Sequence, residues 1–172
     1  MRERPLRAAG GVLRWAAAGV LALLASGAPG AQSPDLLPPE RAFSFSARAL
    51  DAATVEARFA IADGYYLYRE KLKLGVEPGA LAAAPLLPPG KIKEDEFFGK
   101  VETYRGKLVL RLSLAAPAPG ATVTVKAESQ GCADAGVCYP PQVQSIALTL
   151  PAAGAGPGPV VEFAPVKKGW FK

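Results

Sequence analysis

An antiparallel β-sandwich is the fold class that this sequence predicts, on three observations. Apolar and polar residues alternate with a period of two over several short runs. Gly, Pro and Asp residues, which favour turns, separate the runs. No stretch after residue 31 keeps the 3.6-residue period of a helix. Strands with one apolar face and one solvated face, at this spacing, are typical of two antiparallel sheets packed together.

The alternating runs follow one another along the middle of the chain. At least six can be counted, at residues 43–46, 55–61, 72–76, 108–114, 123–127 and 146–150. In the fourth run, for example, the leucines at 108, 110, 112 and 114 share one face. Because side chains in a strand point alternately to opposite sides, each run predicts a strand with a buried face.

The sequence divides into four segments. Residues 1–31 resemble a secretory signal peptide, since arginines precede an uncharged apolar run that ends in small residues. That run is shorter than the roughly 20 residues needed to span a bilayer, so we expect a cleaved leader and no transmembrane domain in this chain. Residues 32–40 are a Pro-containing linker, residues 41–151 the domain, and residues 152–172 a Gly/Pro/Ala-rich tail. The tail ends in a basic and aromatic segment with Trp170 and Phe171. We expect a flexible tail, and the alternative is that this aromatic pair touches a partner or a membrane surface.

Composition excludes several function classes. The net charge is +5, and the arginines of the leader account for much of it, so there is no reason to expect nucleic-acid binding. The chain has no histidine, which excludes Ser–His and Cys–His catalysis within it, as well as histidine metal sites. We predict no cofactor. An even number of cysteines in an exported chain favours a disulfide.

Cys132 and Cys138 are the two cysteines of the chain, and Gly136 lies between them. The alternating runs on either side predict two antiparallel strands joined by a short loop. Opposed residues in such a pair have Cα atoms about 4.5–5.5 Å apart, within the roughly 4.4–6.8 Å that a disulfide needs. Pro140 and Pro141 have no N–H to continue the ladder. We therefore expect a disulfide near a sheet edge, where a partner protein can reach it.

The spacing of the cysteines does not by itself separate a structural disulfide from a redox-active one. A structural disulfide over so short a loop contributes about 2.4 kcal/mol in the chain-entropy model, and it joins residues that the hairpin already holds together. The two alternatives are a redox relay and a secreted binding module with an inert disulfide, which should have a reduction potential below about −300 mV. Capture of a soft metal is a third and weaker alternative, because Met1 is the single methionine.

Residues 91–100 contain three consecutive carboxylates followed by Phe97 and Phe98. One interpretation is a solvated acidic turn with one core phenylalanine. The other is a loop that lays an aromatic ring over the disulfide and brings Asp95 or Glu96 to a thiol. A nearby carboxylate disfavours the thiolate, and it can also accept the thiol proton when a partner docks.

Three tyrosines follow the turn at Asp63-Gly64. In a strand, Tyr66 and Tyr68 point to one side, and Tyr65 and Leu67 point to the other. Such a cluster is typical of core or rim packing, and it could equally form the aromatic wall on which a cap loop rests.

These stretches together resemble the amino-terminal periplasmic domain of DsbD, the bacterial thiol:disulfide interchange protein. The motifs that carry the resemblance are Asp-Gly-Tyr-Tyr-Leu-Tyr-Arg at 63–69, Glu-Asp-Glu-Phe-Phe-Gly-Lys at 94–100, and Gln-Gly-Cys-Ala-Asp-Ala-Gly-x-Cys-Tyr-Pro-Pro at 130–141. Their order and separation also fit, over roughly residues 38–150. The cysteine motif is the most specific of the three.

The resemblance implies an immunoglobulin-like sandwich with a redox pair at one end. In that family the domain takes electrons from a thioredoxin-like domain and reduces periplasmic partners, such as disulfide isomerases and a cytochrome c maturation thioredoxin. By this resemblance Cys138 forms the mixed disulfide and Cys132 resolves it. The remaining site residues that it implies are Asp95 and Glu96, which tune or deprotonate the thiols, and the cap and partner-binding residues Phe97, Phe98, Tyr66, Tyr68 and Tyr139.

The chain departs from the full-length family in one respect. Members of that family continue into a multi-helix membrane domain and a thioredoxin-like domain. After residue 141 this sequence has no C-x-x-C motif and no long apolar run. We therefore expect the electron donor to lie on a separate chain, or this chain to be a piece of a longer product.

Overall fold

The computed structural model describes residues 35–96, 98–116 and 118–165, which belong to one compact unit. The predicted signal peptide, Phe97 and the end of the tail lie outside these residues. The described elements, in order, are α1 (Pro39–Ala42), β1 (Phe43–Ala49), β2 (Thr54–Ile61), β3 (Tyr65–Tyr68), a 3-10 turn (Arg69–Lys71), β4 (Lys73–Glu77), β5 (Lys91–Asp95), β6 (Gly99–Tyr104), β7 (Lys107–Ser113), β8 (Thr122–Ser129), β9 (Gly131–Ala133), β10 (Gln142–Thr149) and β11 (Val161–Glu162). None of the helices described is long and apolar enough to cross a membrane.

The strands form three antiparallel sheets. The first has the order β11-β1-β2-β7, the second β10-β8-β4 and the third β5-β6-β3-β9. The predicted all-β fold with antiparallel, immunoglobulin-like sheets is confirmed, and each of the six alternating runs overlaps a strand.

One core joins the first two sheets, because the apolar face of each strand points between them. In β7 and β10 buried and exposed residues alternate along the strand, as the period of two requires. The bulkiest fully buried side chains in this core include Phe43, Phe45, Phe59, Leu112 and Leu150. Burying an aromatic or aliphatic side chain of this kind contributes about 1.5–3 kcal/mol. These residues therefore supply much of the stability of the sandwich.

The third sheet carries a second, smaller apolar cluster on its far side. Tyr65 and Leu67 of β3 belong to the main core. Tyr66 and Tyr68 point to the opposite side and pack with the buried Cys132. The predicted alternation of these four residues is confirmed. One face of β3 therefore packs in the main core, and the other lies against the disulfide.

The cysteines do not lie in the hairpin of the two strands that flank them. β8 and β10 pair from Thr122 opposite Thr149 to Ser129 opposite Gln142, as the alternating runs predicted. Their connection is longer than a simple loop, because residues Gly131–Ala133 leave the second sheet and pair with β3 in the third. The cysteines form a small hairpin of their own there, as an antiparallel bridge between Cys132 and Cys138.

Part of the predicted tail is folded onto the domain. Val161 and Glu162 pair with Ala47 and Ser46 of β1 as strand β11, and the peptide N–H of Phe163 donates to the carbonyl of Phe45. The segment has no long alternating run, so its composition predicted a flexible tail. It nevertheless pairs, because the edge of β1 offers unpaired backbone groups to any short extended segment that follows the domain.

Gly131 is the residue that allows β9 to approach β3. A Cβ atom at this position would collide with the carbonyl oxygen of Tyr66 and lie 2.8 Å from the ring of Phe43. Replacing Gly131 with Ala is therefore expected to lower the free energy of unfolding by about 2–3 kcal/mol, as an overpacked core does. Urea unfolding of the oxidised protein measures this.

Gly75→Ala is the matched control. Gly75 lies in β4, and an added Cβ atom there has no neighbour within 4 Å. The Gly75→Ala change should alter the free energy of unfolding by no more than about 0.5 kcal/mol. Equal losses of stability in the two variants would contradict the view that Gly131 is needed for the close approach of β9 to β3, because the replacement of any strand glycine would then have the same effect.

Candidate functional site

The candidate site is the small hairpin at the edge of the third sheet. A disulfide joins Cys132 and Cys138, whose Cα atoms are 4.0 Å apart. Cys132 is fully buried, and Cys138 is partly exposed. The peptide N–H of Ala133 donates to the carbonyl of Val137 at 2.8 Å, and that of Tyr139 donates to Gly131 at 3.0 Å. The two sulfur atoms are thus held together by backbone pairing, and they differ in access to solvent.

Asp95 lies at the centre of the polar contacts around the disulfide. It ends β5 and is 7% exposed. The hydroxyls of Tyr66 and Tyr68 donate to its Oδ2 atom at 2.9 and 2.7 Å. Its Oδ1 atom accepts the peptide N–H of Phe98 at 3.2 Å, which closes the turn between β5 and β6. This carboxylate is therefore fixed in place by β3 and by the turn that follows its own strand.

Tyr68 connects Asp95 to the sulfur atoms. Its hydroxyl oxygen lies 3.1 Å from Cys132 Sγ and 3.9 Å from Cys138 Sγ. Burial, together with the hydrogen bond to Asp95, raises the pKa of the Tyr68 phenol far above its ordinary value. The phenol consequently keeps its proton at neutral pH, so it can accept a hydrogen bond from a thiol while it donates one to Asp95.

Phe98 covers part of this cluster from the turn. Its ring makes an edge-to-face contact with Tyr68 at a centroid distance of 5.2 Å, and Lys71 Nζ lies 4.9 Å from its ring centre. Phe98 is 46% exposed, so it offers an apolar surface beside the disulfide. Phe97, which the resemblance makes the cap, is not among the described residues.

A cavity of about 120 Å³ opens beside Cys138. Carboxylates at positions 94, 95 and 96 line one wall, and Tyr66 and the turn after β9 line the others. Glu96 is exposed on this rim, so the structure brings both predicted acids, Asp95 and Glu96, to the cysteine pair. The expectation that Tyr66 and Tyr68 form a wall next to the disulfide also fits the observed contacts.

Tyr139 lies elsewhere. Its ring packs edge-to-face on Phe43 at 5.5 Å, and its hydroxyl donates to the carbonyl of Leu37 at 2.6 Å. Burial and a hydrogen bond with Tyr65 raise the pKa of the Tyr139 phenol. The structure therefore places this predicted partner-binding residue at the edge of the main core, where it anchors the chain before α1.

Three charged residues of the site were not assigned a role from the sequence. Lys93 Nζ lies 3.7 Å from Asp95 Oδ2 and 4.8 Å from the ring centre of Tyr66. Arg105 forms a bidentate ion pair with Asp134 and lies over the same ring. Asp134 belongs to the cysteine motif, which was a signal that could have singled it out. Lys93 lies two positions before Asp95 in the acidic stretch, whereas Arg105, between β6 and β7, lies in none of the motifs.

Comparison with known proteins agrees with this geometry. The family model described as "Thiol:disulfide interchange protein DsbD, N-terminal" matches residues 33–150. The chain belongs to this family. The DsbD amino-terminal family thus accounts for the whole of the sandwich apart from β11.

Curated relatives carry the name thiol:disulfide interchange protein DsbD. DsbD of Ralstonia nicotianae is 50% identical over 131 residues, which cover 75% of this chain and 21% of the relative. DsbD of Escherichia coli K12 is 40% identical over 125 residues, which cover 72% of this chain and 21% of the relative. The chain therefore spans about a fifth of the length of these relatives.

Two solved structures are similar over most of their length. One is the DsbD amino-terminal domain of Neisseria meningitidis in the reduced form, with a TM-score of 0.63 and 34% identity, covering 76% of this chain and 97% of that one. The other is the complex between the DsbD and PilB amino-terminal domains of N. meningitidis. It has a TM-score of 0.57 and 38% identity, and covers 67% of this chain and 88% of that one.

The Asp95→Asn variant tests how the carboxylate acts on the thiols of the reduced domain. Removing a negative charge beside the cysteines favours the thiolate, which is the form that reacts with alkylating agents. We expect alkylation by iodoacetamide at pH 7 to become about threefold to tenfold faster. Circular dichroism checks that the variant is folded.

Glu94→Gln is the matched control, because Glu94 precedes Asp95 on the same strand and is exposed. Water screens an exposed charge, so this variant should change the alkylation rate less than twofold. Equal acceleration in both variants would mean that the buried position of Asp95 has no special effect on the thiols.

Proposed function

We propose that this domain relays electrons in the periplasm by thiol–disulfide exchange at Cys132 and Cys138. It takes two electrons from a thioredoxin-like donor and passes them to disulfides of periplasmic partners, among them disulfide isomerases and cytochrome c maturation thioredoxins. The observation that carries the proposal is the disulfide itself, with one buried and one accessible sulfur at a sheet edge. Such access is what distinguishes exchangeable disulfides from structural ones.

The backbone around Cys138 supports docking of a partner. Val137 and Tyr139 use their carbonyl and N–H groups to pair with β9. Since the direction of these groups alternates along an extended chain, the N–H and carbonyl of Cys138 face away from β9. A partner segment can pair with them as an added strand. That pairing would bring the sulfur of the partner to Cys138.

Each cycle balances in electrons and protons. In the reduced domain the Cys138 thiolate attacks one sulfur of the partner disulfide, forms a mixed disulfide and releases the other partner sulfur as a thiolate. The Cys132 thiolate then attacks Cys138 Sγ, which forms the Cys132–Cys138 disulfide and releases the second partner sulfur. The partner gains two electrons and two protons, and the domain loses them. The donor dithiol reverses both steps.

The polar contacts support a proton route for the buried cysteine. In the disulfide form the Tyr68 hydroxyl lies 3.1 Å from Cys132 Sγ and donates its own proton to Asp95, so we expect it to stay within reach of the Cys132 thiol after reduction. Asp95 can therefore receive the proton of Cys132 through Tyr68 as the second step begins. Until then the negative charge of Asp95 disfavours the thiolate, so the reduced cysteines react slowly. We assign Glu96 the same role as a second acid, and Phe97 and Phe98 the role of a cap over the disulfide.

The names and structures of relatives support the same function. The relatives are called thiol:disulfide interchange proteins, one N. meningitidis domain was solved in the reduced form, and another in a complex with a PilB domain. Export by the predicted leader would place this domain in the periplasm. The donor that we propose is a thioredoxin-like domain, either on a separate chain or on a longer product to which this domain belongs.

Single-cysteine variants test the assigned roles. The Cys132→Ser variant keeps the attacking sulfur and loses the resolving one, so it should accumulate a mixed disulfide with an oxidised periplasmic disulfide isomerase. The Cys138→Ser variant keeps only the fully buried sulfur, and it should form this adduct at least about 100-fold more slowly. Non-reducing electrophoresis after acid quenching measures the adduct.

The reduced wild-type domain is the reference for turnover. It should convert the isomerase to its dithiol form without a lasting adduct. A Cys138→Ser variant that still reduces the isomerase at the wild-type rate would rule out the assigned roles.

A further inference from the structure

Arg105 ties together three parts of the chain around the cysteine hairpin. It lies between β6 and β7, and its Nη1 atom donates to the carbonyl of Tyr65 on β3 at 3.1 Å. The same guanidinium donates from Nη1 and Nη2 to the two carboxylate oxygens of Asp134, at 2.9 and 2.5 Å. Its central carbon lies 5.1 Å from the ring centre of Tyr66. The Arg105 side chain therefore connects β3, which pairs with β9, to the loop that follows Cys132.

Asp134 is the first residue of the exposed loop that leads from Cys132 back to Cys138. Its peptide N–H donates to the carbonyl of Gly64 at 2.7 Å. Residues 134–137 are exposed, so they gain little from apolar packing. Within the described part of the chain, the side-chain hydrogen bonds to this loop come from Arg105, and its other hydrogen bonds are between backbone groups.

The ion pair persists across the pH range in which the domain would work. The hydrogen bond from Arg105 lowers the pKa of Asp134, and the same bond raises that of Arg105. Both side chains are partly exposed, so the pair adds little to overall stability. Its planar, bidentate geometry is directional, however, and this suits it to fixing the position of a loop.

We propose that Arg105 is a positioning residue that keeps Cys138 beside Cys132 when the disulfide is open. In the oxidised domain the covalent bond holds the loop, and the ion pair adds little. After reduction the covalent restraint is gone, and the ion pair, together with the backbone hydrogen bonds of the hairpin, limits how far the loop can move. It thereby raises the effective concentration of one thiol at the other and favours the disulfide. The inference rests on the proposed function, because it concerns the redox equilibrium of the same cysteines.

The reduction potential of the full chain tests the inference. Oxidised protein is equilibrated with mixtures of reduced and oxidised glutathione, in which two glutathione thiols become one disulfide as the protein disulfide becomes two thiols. In the Arg105→Gln variant we expect the equilibrium constant for disulfide formation to fall about fivefold to tenfold. A tenfold fall is a shift of about 30 mV toward easier reduction. Asp134→Asn, which removes the other member of the pair, should shift it in the same direction.

The double variant shows whether the two residues act as a unit. If Arg105 acts through Asp134, the Arg105→Gln and Asp134→Asn changes together should shift the equilibrium no more than either change alone. Lys126→Gln is the control, since it breaks the exposed ion pair of Lys126 with Glu77 on the second sheet. It should leave the equilibrium within twofold of wild type. Circular dichroism and urea unfolding of the oxidised variants check that each is folded.

Several outcomes would overturn the inference. These are an unchanged equilibrium in either single variant, a shift toward harder reduction, a shift no larger than that of Lys126→Gln, or additive shifts in the double variant. None of these outcomes would contradict the proposed function. That function would fail if glutathione could not reduce the wild-type disulfide, or if Cys138→Ser still reduced the isomerase.

Discussion

The pairing of β9 with β3 is the constraint on which the rest of this site depends. It sets Cys132 opposite Tyr66, so the sulfur faces the same side of the sheet as the two tyrosine rings. Had β9 continued the β8–β10 hairpin, the cysteines would have been separated from the tyrosines and from Asp95. Gly131 permits the pairing because it has no Cβ atom to meet the backbone of β3. A single residue without a side chain thus determines the chemical surroundings of the disulfide.

The surroundings of the disulfide combine a buried charge with an open edge. Asp95 is almost fully buried, yet two phenols and one peptide N–H satisfy its oxygens. A buried carboxylate is tolerated when its lone pairs are bonded in this way. Cys138 lies at the other side of the same cluster, where a partner can approach. The domain therefore buries one sulfur among polar groups and leaves the other partly exposed, as the proposed two-step exchange requires.

Local patterns in the sequence predicted much of this arrangement. The period-two runs located the strands of the first two sheets, and the alternation at residues 65–68 assigned each tyrosine to its correct face. The cysteine motif and the acidic motif identified Cys132, Cys138, Asp95 and Glu96 by resemblance. Tyr68, whose hydroxyl lies beside the disulfide, and Asp95, which accepts its hydrogen bond, both stand in stretches to which short-range patterning and a specific motif point.

What the sequence could not predict depends on contacts between distant residues. β9 is three residues long, and its partner strand lies more than 60 positions earlier, so no local period marks it. β5 was expected as a loop because three consecutive acids do not look like a strand, but pairing with β6 makes it one. β11 exists because the edge of β1 is available to it. Arg105 finds Asp134 across 29 positions, and a lone arginine after a strand gives no sign of such a partner.

The central claim is that Cys132 and Cys138 open and close while the sandwich around them stays folded. Equilibration of the wild-type protein with thiol redox buffers, followed by alkylation and mass spectrometry, measures the reduction potential of their disulfide. We predict a potential less negative than about −300 mV, with the far-ultraviolet circular dichroism of the sandwich unchanged on reduction. A potential well below that value, or loss of the β-sheet signal when the bond opens, would contradict it and leave a structural disulfide.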